Sequence, residues 1–108
     1  MFMKPIYLIA IYSLAFLSGV ALAAVTTTVD QRGIAFNMPA LTIAKGGIVN
    51  FTNSDNTSHN ILIVGDGVNF NSGLQAPGVA FKAPFQKPGM YKVSCGIHPK
   101  MKMTITVK

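Results

Sequence analysis

Residues 24–108 predict an all-β fold, a sandwich of about seven to eight short strands, and three observations carry that expectation. Runs rich in Val, Ile, Thr and Phe recur at short spacing between clusters of Gly, Pro, Asn and Asp. The last run alternates: Met101, Met103, Ile105 and Val107 fall on one face, and Lys102, Thr104, Thr106 and Lys108 on the other. No stretch of the length of three helical turns carries a helical apolar period. Many short strands and no helix suit two packed sheets or a small barrel.

The chain opens on a segment of a different kind. Between Met1 and Ala23, Lys4 supplies a positive start, Ile6 to Leu17 is almost unbroken apolar sequence, and Ala21-Leu22-Ala23 is a small-x-small site. That is a secretory signal pattern, with cleavage expected before Ala24. The alternative is a retained anchor, since Pro5 to Ala24 is nearly long enough to span a bilayer. The expected organisation is therefore a signal peptide over 1–23 and one domain over 24–108. Half of the 108 residues are hydrophobic, but the first segment holds a third of them, and the remainder has the ordinary share of a soluble domain.

The strands then follow in order. Val25 to Val29 is Thr/Val-rich. Leu41-Thr42-Ile43 alternates and ends in the turn Lys45-Gly46-Gly47. Ile48 to Thr52 is the next strand, and the polar loop Asn53 to Ser58 leads to His59. Ile61 to Val64 is stopped by Gly65-Asp66-Gly67. Val68 to Gly78, rich in Gly and Asn, reads as a long loop, and Val79 to Lys82 as an edge strand. Turns at Pro84 and Pro88-Gly89 precede Tyr91 to Cys95, and Lys102 to Lys108 closes the chain.

Composition excludes several functions. One cysteine cannot form a disulfide within the chain or build a zinc ribbon. Only 11% of residues are charged, which argues against disorder. The net charge of +6 is too sparse, and too little interleaved with aromatics, for a nucleic-acid surface. Two histidines are too few for a multi-copper oxidase domain, and no nucleophile elbow supports Ser/His/Asp hydrolysis. No enzymatic activity is expected.

The chemistry is concentrated near the end. Cys95-Gly96-Ile97-His98-Pro99-Lys100-Met101 places a thiol, an imidazole and a thioether at spacing C-x2-H-x2-M in a short loop between two strands. His59 is the other histidine, where a polar loop enters a strand. Taken singly, packing accounts for a lone Cys or Met. Taken together in an exported chain, an unpaired cysteine beside two imidazoles and a thioether points to a soft metal. Thiolate and thioether favour copper, and two His, one Cys and a weak axial Met form the blue-copper donor set. Zinc prefers more Cys or His and has little use for a thioether.

From about Phe36 to Val107 the sequence resembles the cupredoxins, type 1 blue copper proteins of the plastocyanin and amicyanin kind. The resemblance rests on Pro39 to Asn53 (PALTIAKGGIVNFTN), Ser58-His59-Asn60-Ile61, Pro88 to Cys95 (PGMYKVSC) and the ligand loop, whose short spacing is similar to amicyanin. It implies an antiparallel Greek-key sandwich and one-electron transfer by a single copper cycling between Cu(I) and Cu(II). It implies His59, Cys95 and His98 as strong ligands and Met101 as the axial one. It implies an exposed His98 edge ringed by apolar residues such as Pro99, Met38 and Pro39, where transient redox partners dock. Lys100 and Lys102 beside it would steer an acidic partner. A monomer in the periplasm or a similar exported space is expected, free of the membrane once the signal is removed. The competing reading is a copper-handling protein that passes on Cu(I).

The sequence departs from the family pattern at two positions. Gly96 stands where Ser or Thr often follows the Cys, which weakens or replaces a side-chain hydrogen bond through Asn60. Ile97 stands where amicyanin-like loops tend to have Pro, leaving an N–H that can point at the Cys95 sulfur.

Overall fold

The computed structural model describes residues 24–108, so the expected signal segment lies outside the described residues. The described chain runs through β1 (Thr26–Gln31), β2 (Ala40–Ile43), β3 (Ile48–Asn53), β4 (His59–Gly65), β5 (Val68–Gln75), β6 (Phe81–Pro84), β7 (Gly89–Ser94) and β8 (Lys102–Val107). No helix occurs among the described residues. The strands form a three-stranded sheet in the order β1-β3-β6 and a five-stranded sheet in the order β2-β8-β7-β4-β5.

The chain crosses between sheets at five of the seven connections, all but β4–β5 and β7–β8. Those crossings produce two parallel pairs, β1 with β3 and β2 with β8, in an otherwise antiparallel arrangement. Parallel partners need a crossover rather than a hairpin; β2 of the opposite sheet supplies it between β1 and β3, and the chain from β2 to β8 runs through strands of both sheets.

Period-two patterning fills the space between the sheets. In β3, Val49 and Phe51 point inward, and in β8 Met103, Ile105 and Val107 do. Val29, Ile61, Ile63, Tyr91 and Val93 complete the core. Burying a side chain such as Phe51 or Ile105 contributes about 1.5–3 kcal/mol. Tyr91 meets Phe85 edge to face at 5.3 Å, and its hydroxyl donates to the Lys87 carbonyl at 2.6 Å. Gly65 ends β4 hard against β7: a Cβ there would collide with the Met90 carbonyl oxygen.

The structure corrects the sequence reading at Val68 to Gly78. Val68–Gln75 is strand β5, paired with β4, rather than part of a long loop. As an edge strand it is exposed along most of its length, so no apolar alternation marks it. Its Gly and Asn content reflects an irregularity, since the β4–β5 register shifts between Asn60 and Leu62 and Gly73 has φ 77°. Asn71 Oδ1 accepts the Gly73 N–H at 2.8 Å, and Ser72 Oγ accepts the Ile61 N–H at 2.9 Å. The edge strand expected at Val79 to Lys82 lies at Phe81–Pro84, where Phe81 stacks on Phe70 of β5 at 5.4 Å. Pro84 is tolerated because β6 is an edge strand.

Asp30 ties β1 to the end of β3, accepting from Thr52 Oγ1 at 2.7 Å and Ser54 Oγ at 2.8 Å. Burial alone raises its carboxyl pKa, but the two hydroxyl donors, a backbone donor and the Arg32 charge outweigh that and hold it below the ordinary 3.8. A carboxyl whose pKa falls on folding stabilises the native state above its unfolded pKa, and loses that contribution as pH drops through the folded value. Asp30→Asn is therefore expected to be less stable than the parent near neutrality in urea unfolding. The gap should close as pH falls below about 4. A gap independent of pH would show that the carboxylate charge is not its source.

Candidate metal centre

Three elements deliver the donors to one end of the sandwich. His59 opens β4 and is wholly buried, because the first residue of that strand points inward. Cys95 follows β7, with 1% of its surface exposed. His98 lies in the turn between β7 and β8 and is half-buried. That turn is closed by the Met101 N–H donating to the His98 carbonyl at 2.9 Å, and by a longer bond of 3.4 Å from the Cys95 N–H to the Met101 carbonyl. Met101 itself is buried, in step with Met103 on the inward face of β8.

The ligand atoms of His59, Cys95 and His98 all lie within 4.8 Å of one another. Cys95 Sγ is 3.7 Å from His59 Nδ1 and 3.8 Å from His98 Nδ1, and the two Nδ1 atoms are 3.1 Å apart. The rings are inclined at 64°. Donors bound to one ion at about 2.0–2.3 Å each are separated by about 3–4 Å, so these three fit a single metal. One thiolate with two imidazoles selects copper over the harder cations.

Asp55 decides which nitrogen of His59 is free, and sequence reasoning missed it. Its Oδ2 lies 2.7 Å from His59 Nε2. The His59 hydrogen bond, followed by the backbone donor of Ile34, holds the Asp55 carboxyl below the ordinary carboxylate range. An ionised carboxylate only accepts, so Nε2 carries the proton and Nδ1 presents its lone pair to the centre. The same carboxylate accepts from the Gly33 N–H at 2.6 Å and the Ile34 N–H at 2.9 Å. This grip holds Ile34 at φ 54°, a costly conformation for a β-branched residue. The signal present in the sequence was an acid four positions before His59, in a chain with only three.

The surroundings of the sulfur answer the question raised by Gly96 and Ile97. The Gly96 N–H donates to Asn60 Oδ1 at 2.7 Å, so a backbone bond replaces the missing side-chain one. The Asn60 amide sits so close that a Cβ on Gly96 would lie 3.1 Å from its nitrogen. The Asn60 N–H reaches Cys95 Sγ at 3.4 Å. Among the described residues no such bond comes from Ile97, whose side chain is exposed instead. Met38, Pro39, Lys100 and Lys102 line one shallow depression over Met101, joined there by Ile34. Met38 is half-buried and packs on the core, while Pro39, Pro99, Lys100 and Lys102 are exposed.

A partner that orients a ligating histidine typically carries 10–100-fold in metal affinity. Asp55→Ala is therefore expected to weaken copper binding by about one to two orders of magnitude, measured by competition with a chelator. An unchanged affinity would mean that strand packing alone orients His59.

Residues 23–108 match the family of copper binding proteins, plastocyanin/azurin family. No curated protein matches the chain. Among solved structures, a Cu-containing nitrite reductase from Thermus scotoductus SA-01 is similar at 28% identity and a TM-score of 0.73. That match covers 87% of this chain but only 25% of the reductase. A purple cupredoxin from Nitrosopumilus maritimus is similar at 27% identity and a TM-score of 0.67, over 75% of this chain and 98% of that one. An amicyanin variant in its reduced Cu(I) form shares the fold at 24% identity and a TM-score of 0.70, over 82% of this chain and 86% of the other. With a two-sheet sandwich that brings His59, Cys95 and His98 together, and a family match over nearly the whole described chain, this protein belongs to the plastocyanin/azurin family of copper-binding proteins.

Proposed function

We propose that the protein is an exported mononuclear type 1 copper protein that carries single electrons between redox partners and is not itself an enzyme. The observation that carries this reading is the His59–Cys95–His98 cluster, whose donors already face one another at single-ion spacing. Copper bound there supplies a one-electron Cu(I)/Cu(II) couple. His59 is held by Asp55, and the Cys95 turn is braced by Asn60, so neither donor is free to follow a change of oxidation state. A site that does not rearrange suits electron transfer better than release of cargo. The Met101 thioether, buried at the close of the same turn, is the proposed weak axial ligand. Residues 1–23 are proposed as the cleaved signal that delivers the domain to the periplasm or an equivalent space, where it works as a monomer.

An absorption spectrum of the copper-loaded, oxidised protein tests the reading. Intense visible thiolate-to-Cu(II) charge transfer is the expected result. A colourless protein that holds Cu(I) and resists oxidation would instead support a copper-handling role.

Charge distribution supports an acidic partner. Each acid already has a partner: Asp30 the Thr52 and Ser54 hydroxyls, Asp55 His59, and Asp66 Lys87 at 3.7 Å. Lys100 and Lys102 remain exposed near the metal end and form no ion pair among the described residues. Reversing both lysines, Lys100→Glu with Lys102→Glu, should slow oxidation by the anionic acceptor hexacyanoferrate(III) by about tenfold at low salt, with the difference shrinking as salt rises. An unchanged rate would leave the lysines a solubilising role only.

A further inference from the structure

Behind the metal end, the sandwich is closed by amides rather than hydrocarbon. Gln31, Asn53, His59 and Gln75 are each at least 97% buried. Gln31 belongs to β1 of the smaller sheet and Gln75 to β5 of the larger, and they meet across the interior, Gln31 Nε2 donating to Gln75 Oε1 at 2.7 Å. Gln31 Nε2 also donates to the Thr52 carbonyl at 3.2 Å. Gln75 Nε2 donates to the Phe51 carbonyl at 2.9 Å and the Val79 carbonyl at 2.6 Å. Three strands, β1, β3 and β5, and a loop are thus joined through two side chains.

The network continues to the metal site. Gln75 is the register partner of His59 across the β4–β5 pair. Its carbonyl accepts from Asn53 Nδ2 at 3.0 Å, and the same Nδ2 donates to the Thr57 carbonyl at 3.0 Å. Asn53 Oδ1 accepts the Asp55 N–H at 3.0 Å. Asp55 in turn holds His59 Nε2. A chain of contacts therefore runs from Gln31 to the Gln75 side chain, from the Gln75 main chain to Asn53, from Asn53 to the Asp55 main chain, and from the Asp55 carboxylate to the imidazole.

The layer is not optimised for stability. Gln31 Oε1 is buried without a partner, and an unsatisfied buried carbonyl is destabilising. An apolar residue in its place would remove that orphan but strip Gln75 Oε1 of its donor, so the two glutamines are kept as a pair. A polar network that costs stability but fixes relative positions is the arrangement expected of a register device.

We propose that Gln31 and Gln75 are positioning residues for His59, a buried amide clasp between the sheets that acts through Asn53 and Asp55. The clasp fixes the 53–58 loop against β5, and so sets where the Asp55 carboxylate holds the imidazole. The proposal deepens the copper reading of the site, but half of its test needs no metal.

The metal-free half follows the His59 Nε2 proton by NMR in Gln31→Met, Gln75→Met and Ile105→Val, the last a core change outside the network. Loss of about one net hydrogen bond's worth of constraint corresponds to about tenfold faster solvent exchange of that proton in Gln75→Met. Gln31→Met should show the same direction, because it removes the donor to Gln75 Oε1 while leaving the Gln75 bonds to Phe51 and Val79 in place. Ile105→Val should show no acceleration at matched global stability. The copper-loaded half compares the ratio of the visible charge-transfer bands in Gln75→Met with that in Gln75→Met combined with Asp55→Ala. The ratio should shift in the first, and the glutamine change should add nothing once Asp55 is gone. Exchange no faster than in Ile105→Val, or a band shift undiminished without Asp55, overturns the clasp. If the parent protein shows no charge-transfer bands with Cu(II), the copper reading fails on its own and proton exchange alone decides the clasp.

Discussion

Two imidazole nitrogens and a sulfur are crowded within 4.8 Å of one another at the end of a β-sandwich, where one cation can be bound by all three. That crowding is the constraint on which the rest of the structure depends. A flexible chain would relieve it by turning one ring away. Here the Asp55 carboxylate fixes the His59 ring from behind, the Gly96 N–H anchors the turn to Asn60, and Met101 N–H closes it. The fold is a frame that keeps the three donors aimed at one point.

The frame works because its parts come from both sheets. His59 and Cys95 arrive on neighbouring strands of the larger sheet, but the loop that carries Asp55 begins at the end of β3 in the smaller one. The carboxylate also holds the turn after β1 through Gly33 and Ile34. Sliding one sheet over the other would therefore pull at the metal end directly. The core of Val49, Phe51, Ile61, Val93 and Ile105 supplies the cohesion that resists such sliding. Its contacts are non-directional, and the polar ties at the metal end supply the direction.

Surface charge follows from how the few acids are used. With all three aspartates engaged in local bonds, the exposed lysines set the sign of the field. Ile34 and Ile97 are about half exposed, and Ile34 and Pro39 line the same depression as Lys100 and Lys102.

The sequence by itself determined the fold class and put Cys95 and His98 of the candidate site in one short loop. Strict alternation from Met101 to Val107 can only be a half-buried strand, and Cys95, His98 and Met101 are local enough for their spacing to show. His59, far away in sequence, could be counted as the other histidine, but only the fold brings it to the loop. Only the tertiary structure decided the rest, because it rests on partners distant in the chain. Strand β5 exists through its pairing with β4, and no pattern within Val68–Gln75 announces it. Asp55 looks like one more polar loop residue until the fold sets it against His59. Gln31 and Gln75, 44 positions apart, resemble ordinary surface amides in the sequence. Whether a polar side chain is solvated or buried as a tie is fixed by what the other sheet places opposite it, and local sequence carries no record of that.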